Sequence, residues 1–114
     1  MNNKEKELYR LADIAVECCA LEIDENGTKS ITREEVLGKS RKENVVMTRC
    51  ILLCLILHSG YSITTAAQFL ARTEAAVRHM EQISDQYFKT SRAYRIAMAE
   101  ATLMVRDMDH ENNS

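Results

Sequence analysis

The sequence predicts an all-α fold, and three observations lead there. First, 114 residues contain no proline and only three glycines, Gly27, Gly38 and Gly60; with so little punctuation, long helices are the expected element. Second, apolar residues recur at three- and four-residue spacing, without sustained alternation of the kind a half-buried strand needs. Third, Ser and Thr stand where helices should begin, each able to accept a hydrogen bond from an orphan backbone N–H. The expected architecture is five or six helices around a buried central one, with a helix-turn-helix at about 63–85. A chain of this length buries about two-thirds of its unfolded surface, enough for a core without metals or disulfides.

Residues 4–23 form the first expected helix, with Leu8, Leu11, Ala12, Ala15, Cys19 and Ile23 on one face and Glu5, Glu7, Asp13 and Glu17 elsewhere. The helix and the following "DENGTKS" loop make up residues 1–30, packed with residues 31–108 as one domain. In "ITREEVLG", Thr32 and Glu35 have capping-box spacing and Ile31 and Val36 staple spacing. Gly38 should stop this short helix through the left-handed cap that glycine favours. "KSRKEN" is a basic loop. Met47–His58 is apolar almost all round and should be the central element, ended by Gly60. Ser62 or Thr64 can cap a helix to Leu70. Thr73 can cap one from Glu74 to about Asp85, with Val77, Met80 and Ile83 inward. "QYFKTS" should break it, and Ser91 should cap a last helix to about Met108, with Tyr94, Ala97, Met98, Ala101 and Val105 inward. Residues 109–114 are expected to be disordered.

The formal charge is −2 and the pI about 5.9, but the charge is uneven. Residues 1–37 carry −4, residues 38–95 carry +5, and residues 96–114 carry −3. A basic middle between acidic ends is an electrostatic footprint suited to nucleic acid. The opening "MNNKEKELYR" is too polar for a signal peptide, and the longest apolar run, Cys50–Leu57, is too short for a bilayer. A reducing cytoplasm is the expected compartment, with the four cysteines as small buried apolar residues.

Positions 63–85 have the spacing of a helix-turn-helix. Ala67 is the small residue that lets two helices cross, Leu70 an anchor, Ala71 the turn position, and Val77 and Met80 the anchors of the second helix. Thr73, Glu74, Ala75, Arg78, His79 and Gln82 then point outward. Over about residues 31–105, "ITREEVLGKSRKENVVMTRCILLCLIL", "SITTAAQFLARTEAAVRHMEQI" and "FKTSRAYRIAMAEA" together resemble the C-terminal DNA-binding domain of the bacterial chromosomal replication initiator, DnaA. The resemblance lies in order and spacing. It implies a basic loop, Lys39, Ser40, Arg41 and Lys42, that holds DNA backbone and minor groove. It sets Arg49 on the arginine of the family's Pro-Arg-Gln segment, with Thr48 for the proline and Cys50 for the glutamine. Arg72 and Val77 fall on the arginine and valine of the Gly-Gly-Arg-Asp-His-Thr-Thr-Val signature.

Elsewhere the chain departs from that signature. Ala71 alone stands for the two glycines, Thr73 for the aspartate, Glu74 for the histidine, and Ala75 and Ala76 for the threonines. A good base contact contributes roughly 1–3 kcal/mol of discrimination. Losing two or more removes about 2–6 kcal/mol from a specific-over-nonspecific gap of about 4–10. The expected activity is therefore binding of double-stranded DNA with a changed base preference, in regulation of replication initiation or transcription. Phosphates would be held by the basic loop, Arg49, Arg72 and Arg78, and base edges by Arg78, His79 and Gln82. The alternative is a protein-interaction module on the same fold, meeting a partner through the acidic N-terminal helix and Glu74.

Other chemistry finds little support. No glycine pair has P-loop spacing, so nucleotide binding is not expected. Asp24, Asn26, Thr28, Ile31 and Glu35 imitate a calcium loop, but its sixth position is Lys29 where the turn demands glycine. Cys50, Cys54 and His58 share a helix face without an evident fourth ligand, so core is the expectation and metal is not. No nucleophile has a paired base among His58, His79 and His110, so no enzyme, cofactor or membrane association is expected.

Overall fold

A computed structural model describes the backbone of residues 2–23 and 31–112, and the side chains of these except Leu21 and residues 109–112. Among the described residues the chain forms six α-helices and no strand. They are α1 (Asn3–Glu22), α2 (Arg33–Leu37), α3 (Glu43–His58), α4 (Ile63–Leu70), α5 (Glu74–Thr90) and α6 (Arg92–Asn112). The "DENGTKS" loop, with the start of the calcium-like pattern, lies outside the described residues.

Helix α3 packs against every other helix. Its Val45, Cys50, Ile51, Leu52, Leu53, Leu55 and Ile56 are all buried, as an element apolar all round must be. It starts at Glu43, four residues before the expected Met47. Val45 is already buried, and Glu43 places a negative charge at the positive end of the helix. Helix α1 lies on α3 and α6 through Leu8, Leu11, Ala12, Ala15 and Cys19, so the N-terminal helix is part of the same core.

The caps expected at Thr32, Ser62 and Thr73 are in place, and Asn2 adds one at the start of α1. Asn2, Thr32, Ser62 and Thr73 each accept from a backbone N–H three residues on. Ser62, not Thr64, caps α4. Ile31 and Val36 are both buried across the Thr32 cap. Gly38 acts differently from expectation. Its φ is −91°, not left-handed. A Cβ there would stand 3.0 Å from the Glu34 carbonyl oxygen, so a larger residue would require that backbone to give by a few tenths of an ångström.

Two helix ends share one geometry with different residues. Gly60, at φ 95°, closes α3: its N–H donates to Leu57 O and that of Tyr61 to Ile56 O. Ala71, at φ 54° and ψ 47°, closes α4: its N–H donates to Gln68 O and that of Arg72 to Ala67 O. Both are Schellman motifs, and the second sets an alanine where glycine is usual.

Helix α5 runs past the expected Asp85 to Thr90, and the break expected in "QYFKTS" falls at its last residue, Ser91. Tyr87 still packs on the core, and Thr90 folds its hydroxyl back on Gln86 O at 2.9 Å. Without glycine or proline, nothing there interrupts the backbone ladder. The break comes at Ser91, which leaves the helical region and caps α6, accepting from Tyr94 N–H at 3.1 Å. Residues 109–112, expected to be disordered, continue α6. No helix among the described residues is long and apolar enough to cross a membrane.

Candidate nucleic-acid interface

Helices α4 and α5 are joined by three residues, Ala71, Arg72 and Thr73. The inner face of the pair is Ala66, Ala67, Leu70, Val77 and Met80, all buried. Small residues at 66 and 67 let α5 approach α4 closely, and Leu70 and Val77 fill the crossing. Of the outward positions anticipated on α5, Thr73, Glu74, Ala75, Arg78, His79 and Gln82 are all exposed.

Two of them have local partners. Thr73 Oγ1 accepts from Ala76 N–H at 3.1 Å, so its hydroxyl serves the cap. Glu74 Oε1 accepts from Thr64 Oγ1 at 3.0 Å, drawing its carboxylate toward α4. That bond was not anticipated; no local motif marks a pairing ten residues apart. With Glu74 engaged there and Ala75 too short to reach a base, Arg78, His79 and Gln82 are the long polar side chains left on this face.

The basic loop, Lys39–Lys42, adjoins the turn directly. Arg72 Nη2 donates to Gly38 O at 2.7 Å, and its Nη1 to Leu70 O at 2.7 Å. Lys39 Nζ donates to Ala71 O at 3.4 Å. One arginine and one lysine thus tie the loop to the entrance of α5. Arg41 and Lys42 are exposed, and Lys42 Nζ stands 3.9 Å from Glu35 Oε2. Ser40 Oγ accepts from Lys42 N–H at 3.4 Å, shaping the loop.

Arg49 is placed differently from a surface phosphate contact. It is 5% exposed. Its Nε donates to Val36 O at 2.7 Å, and its Nη2 lies 3.1 Å from Glu35 O, 3.2 Å from Gly38 O and 3.1 Å from Ser40 O. Those carbonyls include Val36 O, at the C-terminal end of α2, and Glu35 O, which also accepts from Gly38 N–H at 3.2 Å. Arg49 therefore holds the backbone of the basic loop, and the loop's own side chains face solvent. Burial, and then the charge of Arg72, hold its pKa below the usual value; burial does the same for Arg72. A guanidinium remains protonated under either influence because its ordinary pKa is so high. Sequence reasoning missed the Gly38 carbonyl as the common acceptor, since a backbone oxygen leaves no mark in a sequence.

The other anticipated features lie elsewhere. Cys50 and Cys54 sit between α3 and α5, the Cys50 thiol toward Met80 O at 3.9 Å and the Cys54 sulfur 3.3 Å from Ser84 Oγ. His58 is exposed beside them in an open cleft of about 320 Å³ with Glu81, Ser84 and Asp85. Among the described residues no group of three or more His, Cys, Asp or Glu side chains is arranged to hold a metal. Burial pushes the thiols of Cys19 and Cys50 up to about 12 and that of Cys18 to about 11. None is a ready nucleophile. The acidic α1 is partly engaged within the protein: Tyr61 donates to Glu7 Oε2 at 2.6 Å, and Arg33 to Asp13 at 3.3 Å.

No family model matches the chain, and no curated protein does either.

Proposed function

We propose that this protein binds double-stranded DNA, with the first turns of α5 in a major groove and the Lys39–Lys42 loop on the adjacent backbone. The observation that carries this reading is the Arg72–Gly38 contact of 2.7 Å, which makes the basic loop and the entrance of α5 one unit. Phosphate binding needs positive charge held in position, and the loop is held from beneath by Arg49 and from the side by Arg72. Lys39, Arg41 and Lys42 supply the charge, with Arg78 on α5. His79 and Gln82 are the remaining candidates for base edges, and Ser40 and Thr73 contribute loop shape and helix cap. Arg49 acts here through the loop it positions. The likeness to the replication initiator's DNA-binding domain supports the same reading. The altered signature, Glu74, Ala75 and Ala76, argues for a changed base preference and for a regulatory role in replication or transcription.

The test is binding to random duplex DNA across a salt series. Log K should fall linearly with log salt, with a slope of roughly 0.9 per phosphate contacted. Changing Lys39, Arg41 and Lys42 together to Ala should flatten that slope by about 2–3 while leaving the fold intact. No binding at low salt would overturn the proposal. Gln82→Ala should change the base preference found by selection from randomised duplexes more than it changes random-duplex affinity.

A second reading, a protein-interaction module on this fold, is favoured by Glu74. Its carboxylate lies at the N-terminus of α5, where an approaching phosphate would meet like charge. Absence of DNA binding together with a stable protein complex sensitive to Glu74→Gln would support it.

A further inference from the structure

Helix α6 has a second face. Tyr94, Ala97, Ala101 and Met108 are turned into the core. On the opposite side, at spacings of three and four, come Arg92, Ile96, Ala99, Leu103 and Asp107. Leu103 is 56% exposed, the most exposed large apolar residue described; Ala99 is exposed and Ile96 half-buried. The strip has a basic residue at its start and an acidic one at its end, both exposed, with the smallest side chain, Ala99, near the middle.

This arrangement is self-complementary when reversed. In an antiparallel pair, the register that sets Ile96 against Leu103 of a second copy also sets Ala99 against Glu100 and Arg92 against Asp107. The same contacts recur on the other side of the twofold axis, as a closed isologous interface requires. Arg106 falls opposite Ala93, and the like charges brought nearest each other are the two half-buried Glu100 side chains, one residue off register beside the axis. Ala99 near the axis lets the helices approach, and the two Ile–Leu contacts and two Arg–Asp pairs lie either side of it.

We propose that α6 is a homodimer interface, pairing antiparallel with α6 of a second copy about Ala99. A single helix seam is small beside the roughly 800 Å² per partner of a standard interface, so the association depends on concentration. The proposal is independent of DNA binding and is tested without DNA.

Sedimentation equilibrium of the full chain, over a broad concentration range, should show a reversible monomer–dimer equilibrium. Leu103→Glu changes an exposed residue, should leave the helical circular dichroism and the melting temperature unchanged, and should weaken the dimer by about thirtyfold or more. R92D and D107R, each alone, set like charges across the seam and should weaken it several-fold. R92D/D107R together reverse both and should return the dissociation constant to within about twofold. A chain monomeric at every concentration would overturn the proposal and leave this face to another partner or none. A dimer indifferent to Leu103→Glu, or one that the double exchange fails to restore, would overturn it equally.

Discussion

Arg49 and Arg72 donate to the same oxygen, the carbonyl of Gly38, at 3.2 and 2.7 Å. Two positive groups meeting on one acceptor repel each other, and the Arg72 charge adds to burial in lowering the Arg49 pKa. The contact persists because each arginine holds a different piece of backbone. Arg49 reaches Glu35, Val36 and Ser40, and Arg72 reaches Leu70. Gly38 is where the short helix, the basic loop and the α4–α5 turn come together.

Arg49→Met should therefore destabilise the protein although it removes a charge from an apolar site. It leaves the Val36 and Ser40 carbonyls without this donor, while Glu35 O keeps Gly38 N–H and Gly38 O keeps Arg72, which costs about 3 kcal/mol in total. The urea midpoint should fall by roughly 1.5–2 M. Arg49→Lys should recover less than half of this, because one ammonium cannot match the planar fork. A midpoint unchanged in Arg49→Met would show that the carbonyl contacts contribute nothing net.

Arg72→Ala should cost less, about 1 kcal/mol, since Arg72 is only half-buried and water can replace it. Its effect should be local. Hydrogen exchange at the amides of residues 38–41 should accelerate, while exchange in α1 and α6 stays as in the parent protein. Uniform acceleration would mean that Arg72 supports global stability and is no strap on the loop.

Ala71→Gly should stabilise the fold. The left-handed conformation at φ 54° costs an L-residue roughly 1–2 kcal/mol, which glycine avoids. Glycine's greater freedom in the unfolded chain returns about 0.5–1 kcal/mol of that. The net gain should be roughly 0.5–1 kcal/mol, a rise in melting temperature of about 2–6 °C. A lower melting temperature would contradict this balance.

Stability should fall in alkali, and the sign follows from the thiols. Cys18 is raised from 9.0 to about 11, and Cys19 and Cys50 to about 12, by burial above all. Above pH 9 the unfolded chain loses these protons, while the folded chain keeps that of Cys18 to about pH 11 and those of Cys19 and Cys50 to about pH 12. The stability they contribute is present below pH 9 and lost as pH rises toward 12, with each thiol contributing at most about 1.4 kcal/mol per pH unit. Urea unfolding at pH 8, 9 and 10 should show the decline. Replacing Cys19 and Cys50 with Ala should make it shallower, and a decline just as steep would assign it to other groups.

The helices themselves were legible because their signals are short-range. Thr32, Ser62, Thr73 and Ser91 each cap within three residues, and the spacing of Leu8, Leu11, Ala15 and Cys19 marks a buried face without any knowledge of what covers it. The centrality of α3 followed from the absence of a polar face. Where expectation missed, at the start of α3 and the end of α5, a boundary turned on one buried and one half-buried residue, Val45 and Tyr87, that local propensity does not weigh.

The candidate interface divides the same way. Its outward residues, Arg78, His79 and Gln82, follow from helix periodicity, and so does their exposure. The roles of its arginines do not. Arg49 and Arg72 carry the same charge in the sequence, yet one is buried on the carbonyls of α2 and the loop, and the other straps that loop to a turn 34 residues away. Sequence by itself determined the all-α fold, its caps and the exposed face of α5, because these depend on neighbours one helical turn apart. Only the tertiary structure decided which cations hold the backbone and which face solvent, because that depends on where carbonyl oxygens converge, and every residue carries one.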